Sequence, residues 1–359
     1  MPPLDVDAGV VDLTTQLCNI RSVSGEEGPL ADAVEQTLRH LGLFRVLRFG
    51  NTVVARTHLR RQQRVVLAGH LDTVPVAANL PVRVEGDDRT GALHGRGTVD
   101  MKGGVAVMLR LAATLRQPRH DVTLVFYDCE EVEATRNGLG LLVAAHPEWV
   151  TGDVAVLLEP TDGRLEGGCN GTMRVEVSVP GTAAHSARAW RGVNAIHEAA
   201  PVLAMLAQYR PREVDVDGLV YREGLNAVGI SGGIAGNVIP DRCVVTVNYR
   251  FAPDKDEAAA LAHLRHLFAG YAMEVTDTSP GARPGLHHRA VQELVAAAAE
   301  PVGPKYGWTD VARFTALGVP AINYGPGNPE LAHRDDEWVP VDQLHRCESV
   351  LAHWLEPAG

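Results

Sequence analysis

The chain has 359 residues, and at about 150 residues per domain it has room for about two domains, each with its own core. Hydrophobic residues at 45% and charged residues at 21% are globular values, while 36 Gly and 22 Pro imply many turns without disorder. Set against 44 acidic residues, 33 basic ones leave a net charge of −11, and no Lys/Arg run occurs, which excludes a nucleic-acid partner that needs clustered cations.

The N-terminus carries Asp5, Asp7 and Asp12 where a signal peptide would carry cations. No later window approaches about 18 consecutive apolar residues, so the expectation is a cytoplasmic protein with no membrane partner. Residues 65–68, 122–126, 154–158 and 320–324 are short apolar runs bounded by turn residues, the pattern of strands buried on both faces of a parallel sheet. Helical patterns lie between them at 103–116 and 139–145, so the outer parts of the chain read as α/β with crossover helices. From Cys169 the order becomes strand 173–179, helix 194–208, strand 226–231, strand 242–251, helix 256–269 and strand 273–276. That is the β-α-β-β-α-β order of a ferredoxin-like sandwich. The expected organisation is therefore a catalytic domain in two parts, 1–168 and 282–359, interrupted by an insertion at 169–281.

The five cysteines contain no CxxC pair and are odd in number, which argues against a disulfide framework and against a thiolate zinc site. A metal would then draw on the 15 histidines and the surplus of carboxylates. The chemistry-bearing residues gather where the runs end. The first run ends in Gly69-His70-Leu71-Asp72-Thr73-Val74-Pro75, and alternation along a strand puts His70 and Asp72 on one side. A carboxylate so placed can hold the tautomer of a metal-bound imidazole, although the pair alone suits a solvated turn equally well.

Gly95-Arg96-Gly97-Thr98-Val99-Asp100-Met101-Lys102-Gly103-Gly104 sets Asp100 just before a helix, as a ligand or as its N-cap. A dinucleotide fingerprint is disfavoured because the third glycine is missing and no clear apolar strand precedes it. Glu130-Glu131 and Glu159 follow the next two runs, and His333 follows the last. Adjacent carboxylates at buried strand ends repel unless a cation is near, and the carboxyl ends of parallel strands are where open α/β sheets place their sites. Two His and several carboxylates together suit divalent metals, zinc above all.

With these motifs in hand, namely GHLDTVP, GRGTVDMKGG, an EE pair, a Glu before Pro and a final AH, the sequence resembles the co-catalytic dizinc amidohydrolases, a family that includes aminoacylases and glutamate-releasing carboxypeptidases. The resemblance covers nearly the whole chain. It implies a zinc-peptidase-like, mostly parallel sheet flanked by helices, with the ferredoxin-like α+β insertion serving as a dimerisation domain. It also implies two Zn2+ per subunit, with Co2+ or Mn2+ as substitutes: His70, Asp100 and Glu159 on one, Asp100, Glu131 and His333 on the other, Asp100 bridging.

Asp72 would orient His70, Glu130 would be the general base, and His185 would reach the oxyanion from the other subunit of a homodimer. Asn237, Arg250, Thr309 and Asn328 would contact the substrate, an N-acyl amino acid bearing carboxylates. Two alternatives stay open: a different deacylase or dipeptidase of the same family, and a metal-binding protein without catalysis.

Overall fold

The computed structural model describes residues 3–87 and 89–357. They form two compact units, the first made of the chain up to Gly167 with Pro284–Gly303 and the segment from Thr309 onward. At its centre is an eight-stranded sheet that begins in the order Arg45–Phe49, Thr52–Arg56, Asp121–Tyr127, Arg64–His70, Val154–Leu157, Ala321–Asn323 and ends in two short strands. Arg64–His70 pairs in parallel with both Asp121–Tyr127 and Val154–Leu157, which in turn pairs in parallel with Ala321–Asn323. These are the four expected strands. Each is buried nearly throughout, because helices cover both faces and the runs are almost wholly apolar, with Thr123 and Asn323 as buried polar exceptions. The outer pairs are antiparallel.

Helix Lys102–Thr114 begins one residue before the expected position and lies against the sheet, with Val105, Met108 and Leu109 buried. A Cβ on Gly104 would come 2.3 Å from the Leu158 carbonyl oxygen, so glycine is what lets this helix approach the strand end that precedes Glu159.

The second unit is Gly168–Arg283 with Pro304–Trp308. Its antiparallel sheet has the order Gly224–Gly232, Arg242–Phe251, Gly171–Pro180, Ala272–Ser279, the ferredoxin-like order. One face packs Val175, Val177, Val245 and Val247 on Val202, Leu264 and Phe268 of its helices. The boundary expected at 281 falls two residues later, and residues 304–308, assigned from sequence to the catalytic part, join this unit. The reason is hydrogen bonding: the Asn170 amide donates to the Lys305 carbonyl at 3.3 Å and the Trp308 indole donates to the Pro280 carbonyl at 3.1 Å.

The single helix expected at 194–208 is two helices, Ala195–Glu198 and Ala200–Gln208, because Pro201 fits the first turn of the second but cannot continue the first. A hairpin, Glu213–Val216 with Leu219–Arg222, was not anticipated. Its turn is Asp217-Gly218, both with positive φ (54° and 88°), a sequence signal that alternating apolar neighbours should have flagged.

Candidate metal centre

His70 ends its strand with its ring fixed on both sides. Nδ1 donates to the backbone carbonyl of Asp72 at 3.0 Å, which turns Nε2 toward Asp100 Oδ1 at 2.9 Å. The Asp72 carboxylate, expected to orient this ring, stands 3.5 Å from Nδ1 and has further partners. Its oxygens accept from the Glu130 amide at 3.0 Å, the Glu131 amide at 3.1 Å and the Ser24 hydroxyl at 2.7 Å. Asp72 therefore ties the histidine's strand to the loop of paired glutamates. Despite burial, its contacts with His70, Ser24 and the Glu130 amide hold its carboxyl below the usual range.

Asp100 is not the cap of helix Lys102–Thr114, whose N-cap is Met101. One oxygen faces His70 and the other faces His333 Nε2 at 3.3 Å. His333 Nε2 also lies 2.9 Å from Glu131 Oε2. Asp100 is itself tethered by a residue the sequence reading missed. Glu337, 1% exposed, accepts from the Val99 and Asp100 amides at 2.9 and 3.2 Å through Oε1 and from Arg96 Nη1 at 2.9 Å through Oε2.

Two of the site's backbone positions are left-handed without being glycine, Cys129 at φ 56° and His333 at φ 66°. Such conformations cost of order 1–3 kcal/mol and concentrate at functional sites.

Electrostatics separates the two glutamates. Burial pushes the Glu130 carboxyl well above the usual range; His70 works against this, while Glu159, Asp310 and Glu131 add to it. Glu159 is buried just past strand Val154–Leu157. His70 is buried, which opposes charge, yet its hydrogen bonds with Asp100 and Asp72 raise it well above an ordinary imidazole. The Asp100 and Glu131 contacts raise His333 to about 10. Asp310 sits behind this group, fully buried, accepting from the Asn137 amide at 3.0 Å and from Arg313.

His185, Asn237 and Arg250 belong to the inserted unit. Residues Ala184–His185 pair with Val238–Ile239, and the Ser186 amide donates to the Asn237 carbonyl at 2.9 Å, so His185 and Asn237 share one loop cluster. His185 is exposed, its Nδ1 accepting from the Ala187 amide. Arg250 stands on the sheet face opposite the core with Arg174, whose partner across the ladder is Asn248; burial and Arg174 together lower the Arg250 guanidinium from its ordinary value. Arg174 was not foreseen.

Thr309 is buried, its hydroxyl donating to Asn323 Oδ1 at 2.9 Å, so it joins this segment to strand Ala321–Asn323. Asn328 caps the short helix Pro329–Leu331 in the loop that leads to His333.

Imidazole nitrogens and carboxylate oxygens are the donors that divalent ions of zinc type take, and here one carboxylate offers an oxygen to each of two histidines. Those histidines answer Asp100 and Glu131, and the residues fit a pair of divalent cations. An α/β sheet with such donors at its strand ends, and an unligated glutamate beside them, defines a metal-dependent amidohydrolase. The chain belongs to peptidase family M20/M25/M40, whose model matches residues 66–356.

It is 55% identical over 355 residues to a Mycobacterium tuberculosis protein that bears the name DapE, covering 98% of this chain and 99% of that one. It is 45% identical to the succinyl-diaminopimelate desuccinylase of Corynebacterium glutamicum, covering 99% of this chain and 98% of the relative. Among solved structures, a Staphylococcus aureus tripeptidase matches with TM-score 0.78 at 19% identity, over 98% of each chain, a likeness of fold. Among the described residues no helix is long and apolar enough to cross a membrane.

Proposed function

We propose that the chain hydrolyses the amide of N-succinyl-LL-2,6-diaminopimelate to succinate and LL-2,6-diaminopimelate. The observation that carries the hydrolytic reading is the Asp100 carboxylate set between His70 and His333 while Glu130, raised in pKa, is left outside that set. The names of the two relatives supply the substrate.

His70, Asp100 and Glu159 would hold one Zn2+ and Asp100, Glu131 and His333 the other. Bound there, the ions would polarise the amide carbonyl and acidify a water molecule. Glu130 takes a proton from the attacking water as oxygen adds to the carbonyl carbon, then gives it to the leaving nitrogen as the C–N bond breaks. Its pKa, raised by burial, suits a group that must both accept and return a proton.

His185 donates to the oxyanion from the partner subunit of a homodimer. Support for that dimer comes from strand Gly224–Gly232, an edge of the inserted sheet whose Val228 and Ile230 are 59% and 53% exposed. Arg250, with Arg174 and Asn237, answers the substrate's carboxylates, which guanidinium forks match bidentately.

The test is a comparison of N-succinyl-diaminopimelate with N-acetylornithine, together with Glu130→Gln. The expected result is a strong preference for the succinyl substrate and a loss of about a hundredfold or more in kcat in the variant with both metals retained. A preference for the acetyl substrate would reassign the acyl group. Near wild-type turnover in Glu130→Gln would remove the proposed mechanism.

A further inference from the structure

A second cluster of ligand-type atoms lies on the far side of the paired glutamates. Glu27, Asp128 and Cys129 each present one such atom, all within 4.8 Å of one another. Glu27 is fully buried at the start of helix Gly28–Leu41, and Cys129 is 7% exposed. Glu27 Oε1 accepts from the Gly25 amide at 2.7 Å, the Cys129 amide at 3.2 Å and the Cys129 thiol at 3.4 Å. Its other oxygen, Oε2, is buried with no hydrogen-bond partner among the described residues. A buried carboxylate oxygen without a donor costs of order 1–3 kcal/mol, more when charged, and so calls for an explanation.

Asp128 does not relieve it. That carboxylate accepts from the Thr52 hydroxyl at 2.7 Å and brings a second acid toward the first. Arg136, 52% exposed, sets its Nη2 3.9 Å from Cys129 Sγ while its Nη1 pairs with Glu133 at 3.7 Å.

We infer that Glu27, Asp128 and Cys129 form a further cation site, distinct from the pair at Asp100, that takes a borderline-soft divalent ion of zinc type. The spacing agrees with such an ion. Tetrahedral zinc with Zn–S of about 2.3 Å and Zn–O of about 2.0 Å puts sulfur and oxygen about 3.5 Å apart. Cys129 Sγ and Glu27 Oε1 are 3.4 Å apart.

One thiolate with two carboxylates selects against magnesium and calcium, which take oxygen alone. The ion would fill the place of the missing donor at Oε2 and offset both acids, releasing the thiol proton to solvent. It would also pin the turn at Cys129, from which Glu130 and Glu131 follow directly. The inference does not depend on which acyl group the enzyme removes. It amends the expectation that no cysteine takes part in a metal site.

The test uses the full chain with cadmium as probe, because none of the ligands at the Asp100 pair is a thiol, and a sulfur–cadmium charge-transfer band therefore reports this cluster alone. Saturation should give that band in the ultraviolet and one more ion per chain than Cys129→Ala, which should lose the band while keeping the other ions. Glu27→Gln should weaken cadmium binding at this site at least tenfold with its circular dichroism unchanged, which separates lost ligation from lost folding. A wild-type protein without the band, or a band and stoichiometry that survive Cys129→Ala, would overturn the inference.

Discussion

Glu337 offers the most searching test of how the metal centre is held. Its carboxylate is 1% exposed and the Arg96 side chain it faces is 3% exposed, so their 2.9 Å contact is a buried ion pair. Arg96 has further partners in the Pro75 and Arg334 carbonyls at 3.1 and 3.0 Å. Glu337→Ala leaves that buried guanidinium with only the exposed Asp335 carboxylate, 3.9 Å away, as counter-charge, and strips the Val99 and Asp100 amides of their acceptor. Breaking a buried pair by removing one partner costs about 3–5 kcal/mol, a large fraction of the stability of an ordinary domain.

Arg96→Met with Glu337→Leu removes both charges, so its cost should fall short of the sum of the two single changes by about 1–3 kcal/mol. Urea unfolding in the presence of a chelator measures this without adding the stabilisation that bound metal contributes. A second readout separates folding from function. Because the Asp100 amide donates to Glu337, the loss should loosen Asp100 and lower metal affinity about 10–100-fold, seen by competition with a chromophoric chelator. Additive costs, or unchanged metal affinity in a destabilised Glu337→Ala, would refute the idea that this glutamate positions the shared ligand.

Two further outcomes follow from the same geometry. In metal-free protein the fold raises His333 to about 10, through Asp100 and then Glu131, so its imidazole is protonated at pH 7; hydrogen bonds with Asp100 and Asp72 raise His70 in the same direction against its burial. Metal needs neutral imidazole, so loading should release at least the His333 proton, about one per chain, read by calorimetry in buffers of different ionisation heat, with affinity rising as pH climbs toward 10; no proton release would contradict it. For His333 the same shift stabilises the metal-free fold fully below about pH 6.5 and fades as pH rises through 10. Gly104→Ala would set a Cβ 2.3 Å from the Leu158 carbonyl oxygen, where contact requires nearly 1 Å more. It should cost about 1–3 kcal/mol and weaken metal binding, since Glu159 is the next residue, whereas Gly303→Ala, with nothing within 4 Å of its new Cβ, should do neither.

How far the site is legible depends on whether its geometry is set locally or by a distant partner. The four central strands are legible because burial on both faces demands unbroken apolar runs, and His70, Glu130, Glu131, Glu159 and His333 stand out because they close such runs or follow them closely. Glu337 is invisible by the same logic. It ends the run Asp335-Asp336-Glu337, in which the two aspartates are exposed, and nothing in composition or period says that the third acid turns inward to a residue 237 positions earlier. Arg174 is hidden for a related reason: it becomes a neighbour of Arg250 only when two antiparallel strands take their register.

Asp72 shows why the adjacent glutamates can do different work. Its carboxylate gathers the amides of both Glu130 and Glu131 from a strand end 58 residues upstream of the first. To present both amides in one direction the chain takes a left-handed turn at Cys129, which costs a non-glycine residue about 1–2 kcal/mol. Two hydrogen bonds to a charged acceptor, at about 1.5–3 kcal/mol each, more than offset that cost. With both backbone groups committed to Asp72, neither glutamate needs its side chain to hold the loop. The Glu131 carboxylate is then available to meet His333 at 2.9 Å, and that of Glu130 stays outside the ligand set with its pKa raised. The spacing His70-x-Asp72 thus serves two ends at once: the Asp72 backbone carbonyl sets the histidine, and its carboxylate sets the amides of the two glutamates that the proposed mechanism divides into base and ligand.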